Sequence, residues 1–318
     1  MTTNNYPYKN LVFEGGGVKG LAYGGALEVL EQAGITPQAG RIAGTSAGAI
    51  TAALVSLGFT AAAFNQIMLS IDFKKFEDGS DLGGPLRILE HYGWFKGDYF
   101  LNMMESFIEQ KTGDGRATFA DLKGQGGFKD LHVFGTNLSQ QAVQEFSFQT
   151  TPDVAVADAI RISMSIPFFF ESRTYDDGVY CDGGVLNNYP ISAFDEQYEA
   201  DDPDTGHTML CRTPNPETLG FHLDNFDQPP PRPVDDLPRF AGGVFDAILN
   251  IQNILLKTQP GDERRTVFIN DLGVKTTDFS LSEQTKRALI EQGRTATLAY
   301  LGQPRPPLPE VRRLLRRN

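Results

Sequence analysis

Short apolar runs that stop at glycine, each followed by a stretch with helical spacing, set the rhythm of this chain. Leu11, Val12 and Phe13 run into Gly15, Gly16 and Gly17, the pattern of a buried strand opening into a loop. From Gly20 to Ala33 the apolar positions Ala22, Ala26, Leu30 and Ala33 recur every three or four residues, with Glu28, Glu31 and Gln32 on the other side. That spacing predicts a helix closed by Gly34. Arg41 to Gly44 repeats the strand, and Ala47 to Leu57 repeats the helix directly after Ser46. Strand, loop and helix, twice over, predict a mostly parallel sheet covered by helices, an α/β fold.

Further along, Asp98 is positioned to cap a helix whose apolar face is Phe100, Met103, Met104, Phe107 and Ile108, ended by Gly113. Leu131 to Leu138 reads as a strand, with Phe146 to Phe148 pairing near it, and Pro152 opens a helix through Ala155, Ala159 and Ile160. Six acidic residues between Asp195 and Asp204, and the prolines 229, 230, 231 and 233, read as surface loops. Thr266 to Ile269 and Leu281 to Leu301 are the last strand and helix, the helix opening on a capping box of Ser280 and Glu283.

Length changes the picture little, since 318 residues suit one or two domains. Hydrophobic residues at 40% and charged residues at 21% exclude a disordered or fibrous chain. With no linker or repeat in view, residues 1–303 read as a single α/β domain with inserted loops at about 195–235, followed by a basic tail at 304–318. The net charge of −12 argues against a nucleic-acid partner, because that grip needs lysines and arginines to displace counterions. The tail is the exception: Arg305, Arg312, Arg313, Arg316 and Arg317 face only Glu310, giving +4 there against −16 elsewhere. Such a segment is suited to peripheral contact with an anionic membrane, each cation contributing about 1 kcal/mol, although a solvated helix end has the same composition.

Cys181 and Cys211 are the only thiols, so there is no disulfide framework and no cysteine-rich metal pattern. They suit a reducing compartment, and no metal or cofactor is called for. The start MTTNNYPYKN lacks a secretory h-region, which points to the cytoplasm and is also compatible with a specialised secretion system. Residues 42 to 71 carry no charge, but Thr45, Ser46, Thr51, Ser56 and Thr60 interrupt them, so a buried helix is expected rather than a membrane span.

Gly44-Thr45-Ser46-Ala47-Gly48 is a G-x-S-x-G between a strand and a helix, where a sharp turn lifts a serine hydroxyl to the sheet's edge. The same serine also suits a plain helix N-cap. Gly15, Gly16 and Gly17 bring backbone N–H groups to a second strand-to-helix junction, fit for an oxyanion or for a phosphate. FEGGGVKG lacks the spacing of the nucleotide-binding glycine motifs, which weakens the phosphate reading. Lys19 adds a cation there, or is a solvated helix-end lysine. His91, His132, His207 and His222 are the only histidines, and none stands in a turn that resembles a catalytic loop. Asp182, followed by Gly183 and Gly184 after a strand-like VYC, either projects a carboxylate at a strand end or forms an ordinary Asx turn.

LVFEGGGVKG at 11–20, GTSAG at 44–48 and CDGGVLNNYP at 181–190 resemble the three signature blocks of the patatin-like phospholipase family, in their usual order. Weaker similarity runs through TPDVAVADAIRISMSIPFFF at 151–170, so the resemblance covers roughly the first two-thirds of the chain. It implies a three-layer α/β/α sandwich and acyl hydrolysis of membrane or micellar glycerolipids by a serine and aspartate dyad, without histidine or catalytic calcium. Carried over, Ser46 is the nucleophile, Asp182 the base, Gly15, Gly16 and Gly17 the oxyanion loop, and Gly44, Gly48 and Gly183 the supporting turn residues. The family commonly has arginine where Lys19 stands, so support of the loop by Lys19 is less direct. An activating factor is left unidentified. Two rival expectations stand beside the phospholipase A reading: a Ser46, Asp182, His207 or His222 esterase triad, and a non-enzymatic protein that binds an acyl chain or a partner.

Overall fold

A computed structural model describes residues 6–79, 84–201, 207–225, 234–235, 237–257 and 259–303. β1 (Asn10–Phe13) passes through a 3-10 turn at Gly17–Leu21 into α1 (Ala22–Gln32), and Gly34, at φ +73°, turns the chain into the short α2 (Ile35–Gln38). β2 (Arg41–Thr45) leads into α3 (Ala47–Ser56), which is buried at every residue. With α4 (Ala61–Ser70), the uncharged stretch is therefore a strand and two helices. Among the described residues no helix is long and apolar enough to cross a membrane.

α5 (Gly84–His91), β3 (Gly93–Phe95), α6 (Asp98–Thr112) and α7 (Phe119–Gln125) come next. Phe100, Met104 and Ile108 bury the expected face of α6, but its N-cap is Gly97 and not Asp98. Asp78 does the capping from outside, accepting the N–H groups of Gly97 and Tyr99 at 2.6 and 2.9 Å. β4 (Asp130–Asn137) pairs with β5 (Ala142–Phe146), which ends where pairing was expected to begin. α8 (Val156–Ser163) starts beyond Pro152, because Ala155 stays extended and bridges Thr118.

After β6 (Phe168–Phe170), β7 (Arg173–Tyr175) and β8 (Gly178–Asp182) comes the largest departure from expectation. The segment expected as loops around 195–235 contains three strands. β9 (Glu196–Asp201) and β10 (Thr208–Thr213) form an antiparallel hairpin, and β11 (Thr218–Asp224), buried throughout, is an interior strand of the main sheet. Acidic side chains tolerate the hairpin because β9 is exposed along almost its whole length. The run of prolines and the arginine-rich tail lie outside the described residues. α9 (Leu237–Lys257), α10 (Pro260–Glu263), β12 (Thr266–Asn270) and α11 (Glu283–Gly302) complete the chain. The N-cap of α11 is Ser282, which accepts the Thr285 N–H, whereas Ser280 turns its own N–H to Asp278.

β12, β11, β1, β2 and β4 lie side by side and parallel, β5 and β8 each pair antiparallel with β4, and β7 pairs antiparallel with β8. The mixed α/β architecture with a mostly parallel central sheet is thus as the alternation of elements predicted. Alternate residues divide between the faces. Leu11, Phe13, Ile42, Val133 and Phe221 enter the larger core with Leu30, Leu54 and Ile162 of α1, α3 and α8. Val12, Ala43 and Phe134 enter a smaller one with Ile191, Phe194 and Leu256 of α9.

One detail of register fixes the site. β5 runs along one edge of β4, and the opposite edge is shared: β2 pairs with Asp130 to Phe134, ending at Thr45↔Phe134, and β8 takes over at Asp182↔Gly135. Two strands of opposite direction therefore end at neighbouring positions of a third. The residue after Thr45 must meet Asp182.

Candidate active site

That residue is Ser46. Its backbone sits at φ +53°, ψ −124°, a conformation rare for a residue with a Cβ and the kind of strain that a sharp strand-to-helix turn stores. The flanking glycines make the turn possible. A Cβ on Gly44 would fall 2.2 Å from the Gly48 carbonyl oxygen, and one on Gly48 2.2 Å from that of Phe13. The Ser46 N–H donates to Ser163 Oγ at 2.8 Å, and Ser163 Oγ donates to the Phe134 carbonyl at 2.5 Å, which ties the turn to β4. Ser46 stands at the N-cap of α3, yet its hydroxyl accepts no helix N–H. It donates to Asp182 Oδ2 at 2.7 Å and lies 3.5 Å from Met164 Sδ.

Asp182 ends β8 with no exposed surface. Its Oδ1 accepts the Gly184 N–H at 2.7 Å, an Asx turn, and its other oxygen is left for Ser46, so both readings of this residue hold at once. Burial pushes its carboxyl up to about 7, against the pull of the Ser46 and Gly184 hydrogen bonds. Gly183 lies where a Cβ would come 2.3 Å from the Phe134 carbonyl oxygen, so this turn also requires glycine.

The glycine loop lies beside this pair. A Cβ on Gly15 would come 3.0 Å from that of Ser46 and 2.3 Å from Asn188 Oδ1. Its N–H is not free for an oxyanion, because it donates to the Asn188 carbonyl at 3.0 Å. Among the described residues the N–H groups of Gly16 and Gly17 have no such partner, so of the three glycines these two can face a ligand. Gly17, at φ +55°, leaves 2.0 Å between a Cβ and the Thr276 carbonyl oxygen. Lys19 is not a solvated helix-end lysine: its Nζ binds Asp271 Oδ2 at 3.0 Å and anchors the turn to the end of β12, and its stem passes the loop, with Cε 3.4 Å from where a Cβ on Gly16 would stand.

Behind the loop stands Glu14, which sequence reasoning missed. Its Oε1 accepts from Asn188 Nδ2 at 2.9 Å and its Oε2 from the Leu223 N–H at 2.6 Å, while Asn188 Nδ2 also holds the Gly15 carbonyl at 3.1 Å. His222 Nε2 lies 3.3 Å from Glu14 Oε1 and 3.1 Å from Asn253 Oδ1. Burial pushes Glu14 up to about 8 and His222 down to about 4, so it works against an ion pair between them. His222 is thus committed to Glu14 and Asn253, and His207 is exposed just before β10. Neither hydrogen-bonds to Ser46 or Asp182. Two other partners were missed as well. Gln252 of α9 accepts the Asn188 N–H and donates to the Gly184 carbonyl, both at 2.8 Å, and buried Arg161 donates to Ser165 Oγ at 2.6 Å beside the carbonyl that accepts the Asp182 N–H. The signals that could have found them are slight: Asn188 and Ser165 lie inside segments that resemble the family, and Glu14 is the acid that ends an apolar run.

A serine at a strained strand-to-helix turn, a buried carboxylate on its hydroxyl and a glycine loop beside both define an α/β protein with the parts of a serine hydrolase. The model of the patatin-like phospholipase family matches residues 11–195, and the chain belongs to that family. It is 31% identical over 309 residues to the uncharacterized protein YqhO of Bacillus subtilis, covering 93% of this chain and 99% of that one. It is 28% identical over 193 residues to the probable lipid hydrolase 463L of Invertebrate iridescent virus 6, covering 58% of this chain and 62% of that one. The crystal structure of VipD from Legionella pneumophila shares the fold, with a TM-score of 0.64 at 17% identity over 93% of this chain and 67% of that one.

Proposed function

We propose that the protein is a lipid acyl hydrolase of the phospholipase A type, cleaving ester-linked acyl chains of glycerolipids with Ser46 and Asp182. The observation that carries this is the direct 2.7 Å contact between Ser46 Oγ and Asp182 Oδ2, with no histidine between them. An ordinary aspartate, with a pKa near 3.9, is a poor base toward a hydroxyl; one raised to about 7 by burial is far better matched.

Asp182 takes the Ser46 proton as Oγ attacks the ester carbonyl, and the tetrahedral oxyanion is met by the N–H groups of Gly16 and Gly17. Asp182 then gives that proton to the departing lysolipid alcohol, leaving the acyl chain on Ser46. Water, deprotonated by the same carboxylate, attacks the acyl-enzyme, and Asp182 returns that proton to Ser46 Oγ as the fatty acid leaves. The triad alternative lacks support, since His222 is held by Glu14 and Asn253. The binding-protein alternative used Ser46 as a helix cap, and its hydroxyl makes no cap hydrogen bond.

The test is labelling by a fluorophosphonate together with mass spectrometry of a glycerophospholipid panel. Label on Ser46, with lysolipid and fatty acid released by the parent and not by Ser46→Ala, is the expected result. A folded parent that neither reacts nor cleaves any lipid of the panel refutes the reading.

A further inference from the structure

Among the described residues, α9 carries more exposed large apolar side chains than any other element. Ala241, Phe245, Leu249 and Leu256 pack inward, whereas Phe240, Val244, Ile251, Ile254 and Leu255 are 44% to 58% exposed. At 3.6 residues per turn these five form one stripe running alongside the buried one, and Asp246, Asn250, Asn253 and Lys257 take the remaining side. The helix therefore has an apolar arc of about 220°, of which the described residues cover only the half nearer the sheet. An ordinary surface helix has a single apolar stripe and buries it.

Location and charge say what the other half meets. α9 is part of the wall of the site: a Cβ on Gly184 would lie 3.1 Å from the Phe245 ring, and Gln252 holds both the Gly184 carbonyl and the Asn188 N–H. Exposed apolar side chains continue on the elements that α9 packs against, with Leu186 at 44% and Phe168 at 48%. Phe168 has φ +65°, a backbone conformation that bulky residues rarely adopt, so its outward position is built in against local preference. The chain as a whole is at −12, and the cations at the two ends of α9 are paired, Lys257 with Asp224 and Arg239 with Asp235. Among the described residues, no unpaired cation on this face attracts a polyanion. A second copy of the chain seated there would cover the rim of the site together with the stripe.

We propose that the uncovered arc of α9, continued by Phe168 and Leu186, is the surface through which the protein sits on an aggregated zwitterionic glycerolipid, so that acyl chains enter the site beside Gly184. This rests on the lipid-hydrolase reading of Ser46 and Asp182 and names the surface that meets the substrate. Burial of the stripe in the headgroup and acyl boundary is the behaviour of an amphipathic helix lying in an interface.

The experiment is co-sedimentation of the full chain with phosphatidylcholine vesicles in high salt, which silences the basic tail, alongside hydrolysis of vesicle lipid and of a monomeric short-chain ester. The variants are Ile251→Ser with Ile254→Ser, and, as a control of matched exposure on α11, Leu298→Ser, at 54%. The α9 pair is expected to lower vesicle partitioning and vesicle hydrolysis by ~10-fold or more while monomer hydrolysis stays within about twofold. Leu298→Ser is expected to behave as the parent. Partitioning that falls equally for both variants, or for neither, overturns the proposal. So does a parent that is a dimer in solution and becomes monomeric in the α9 pair with vesicle binding unchanged. If partitioning depends on α9 in a protein that cleaves neither substrate, the surface stands and the hydrolase reading fails.

Discussion

Two buried carboxylates flank the glycine loop, one on each side of the sheet's centre, and they face different groups. Asp182 ends β8 and Glu14 comes directly after β1; burial raises both, to about 7 and about 8. Asp182 meets a serine hydroxyl, whereas Glu14 meets a backbone N–H, an asparagine amide and an imidazole. A raised pKa therefore locates buried acids without saying which one does chemistry. The groups that face the carboxylate decide that: one neighbour can become a nucleophile, and the others can only be held in place.

The largest effects should come from the Asp182 side. Ser46→Ala and Asp182→Asn are each expected to bring ester hydrolysis down by ~1000-fold or more, because the two act as a unit, and the double variant should be little worse than either. His207→Ala and His222→Asn, once shown to be folded, should keep most of the parent's turnover. A folded His222→Asn at the Ser46→Ala background, with Asp182→Asn still turning over, would exchange the roles of the two regions.

Next in size is the loop between them. Gly16→Val is expected to lower turnover by ~100-fold while leaving the fold intact, since the new Cβ meets first the end of a leucine side chain, Leu223 Cδ1 at 2.5 Å, and no backbone atom. Turnover near the parent's in a folded variant removes Gly16 N–H from the chemistry. A pH profile then sharpens the contrast. The base must be ionised, so kcat should rise with pH through about 7, the Asp182 value, and the same midpoint should persist in Glu14→Gln. A midpoint that moves with Glu14 would mean that the two acids titrate as one system.

The two regions also differed in how far the sequence revealed them. The Ser46 half was legible because its geometry is local: Gly44, Gly48 and the strained serine sit within five residues, and the turn needs those residue types. Asp182 was legible through its Asp-Gly-Gly turn and the family resemblance, although its meeting with Ser46 depends on β2 and β8 sharing one edge of β4, which no local pattern encodes. The Glu14 half was hidden. β11 carries Gly220 and His222 among its apolar residues and comes after an acidic hairpin, so it did not read as a central strand, and Glu14 reads as a strand-end charge until Leu223 and Asn188 are seen to close over it. The long α9, with its two apolar stripes, was likewise obscured by the run of prolines beside it.

Within a single pH unit the smallest predicted effect is on stability, and it separates the two acids by pH. A carboxyl raised above its unfolded value keeps its proton in the folded state after the unfolded chain has released it. The stability it contributes is fully present below its ordinary value and is lost as pH rises through the folded one. For Glu14 that window runs from 4.5 to about 8, and for Asp182 from 3.8 to about 7. Replacing either acid by its amide removes the corresponding loss, so each variant should gain on the parent as pH rises, by at most about 1.4 kcal/mol per pH unit. Urea unfolding at closely spaced pH values measures it. Glu14→Gln should go on gaining between pH 7 and 8, where the gain from Asp182→Asn has levelled off. Because the amide at position 14 still faces Asn188, the Leu223 N–H and His222, its turnover should stay within a few-fold of the parent's. Gains that level off together, at the same pH, would mean that the two carboxyls share one environment, and the contrast between a working acid and a holding acid would have to rest on their neighbours alone.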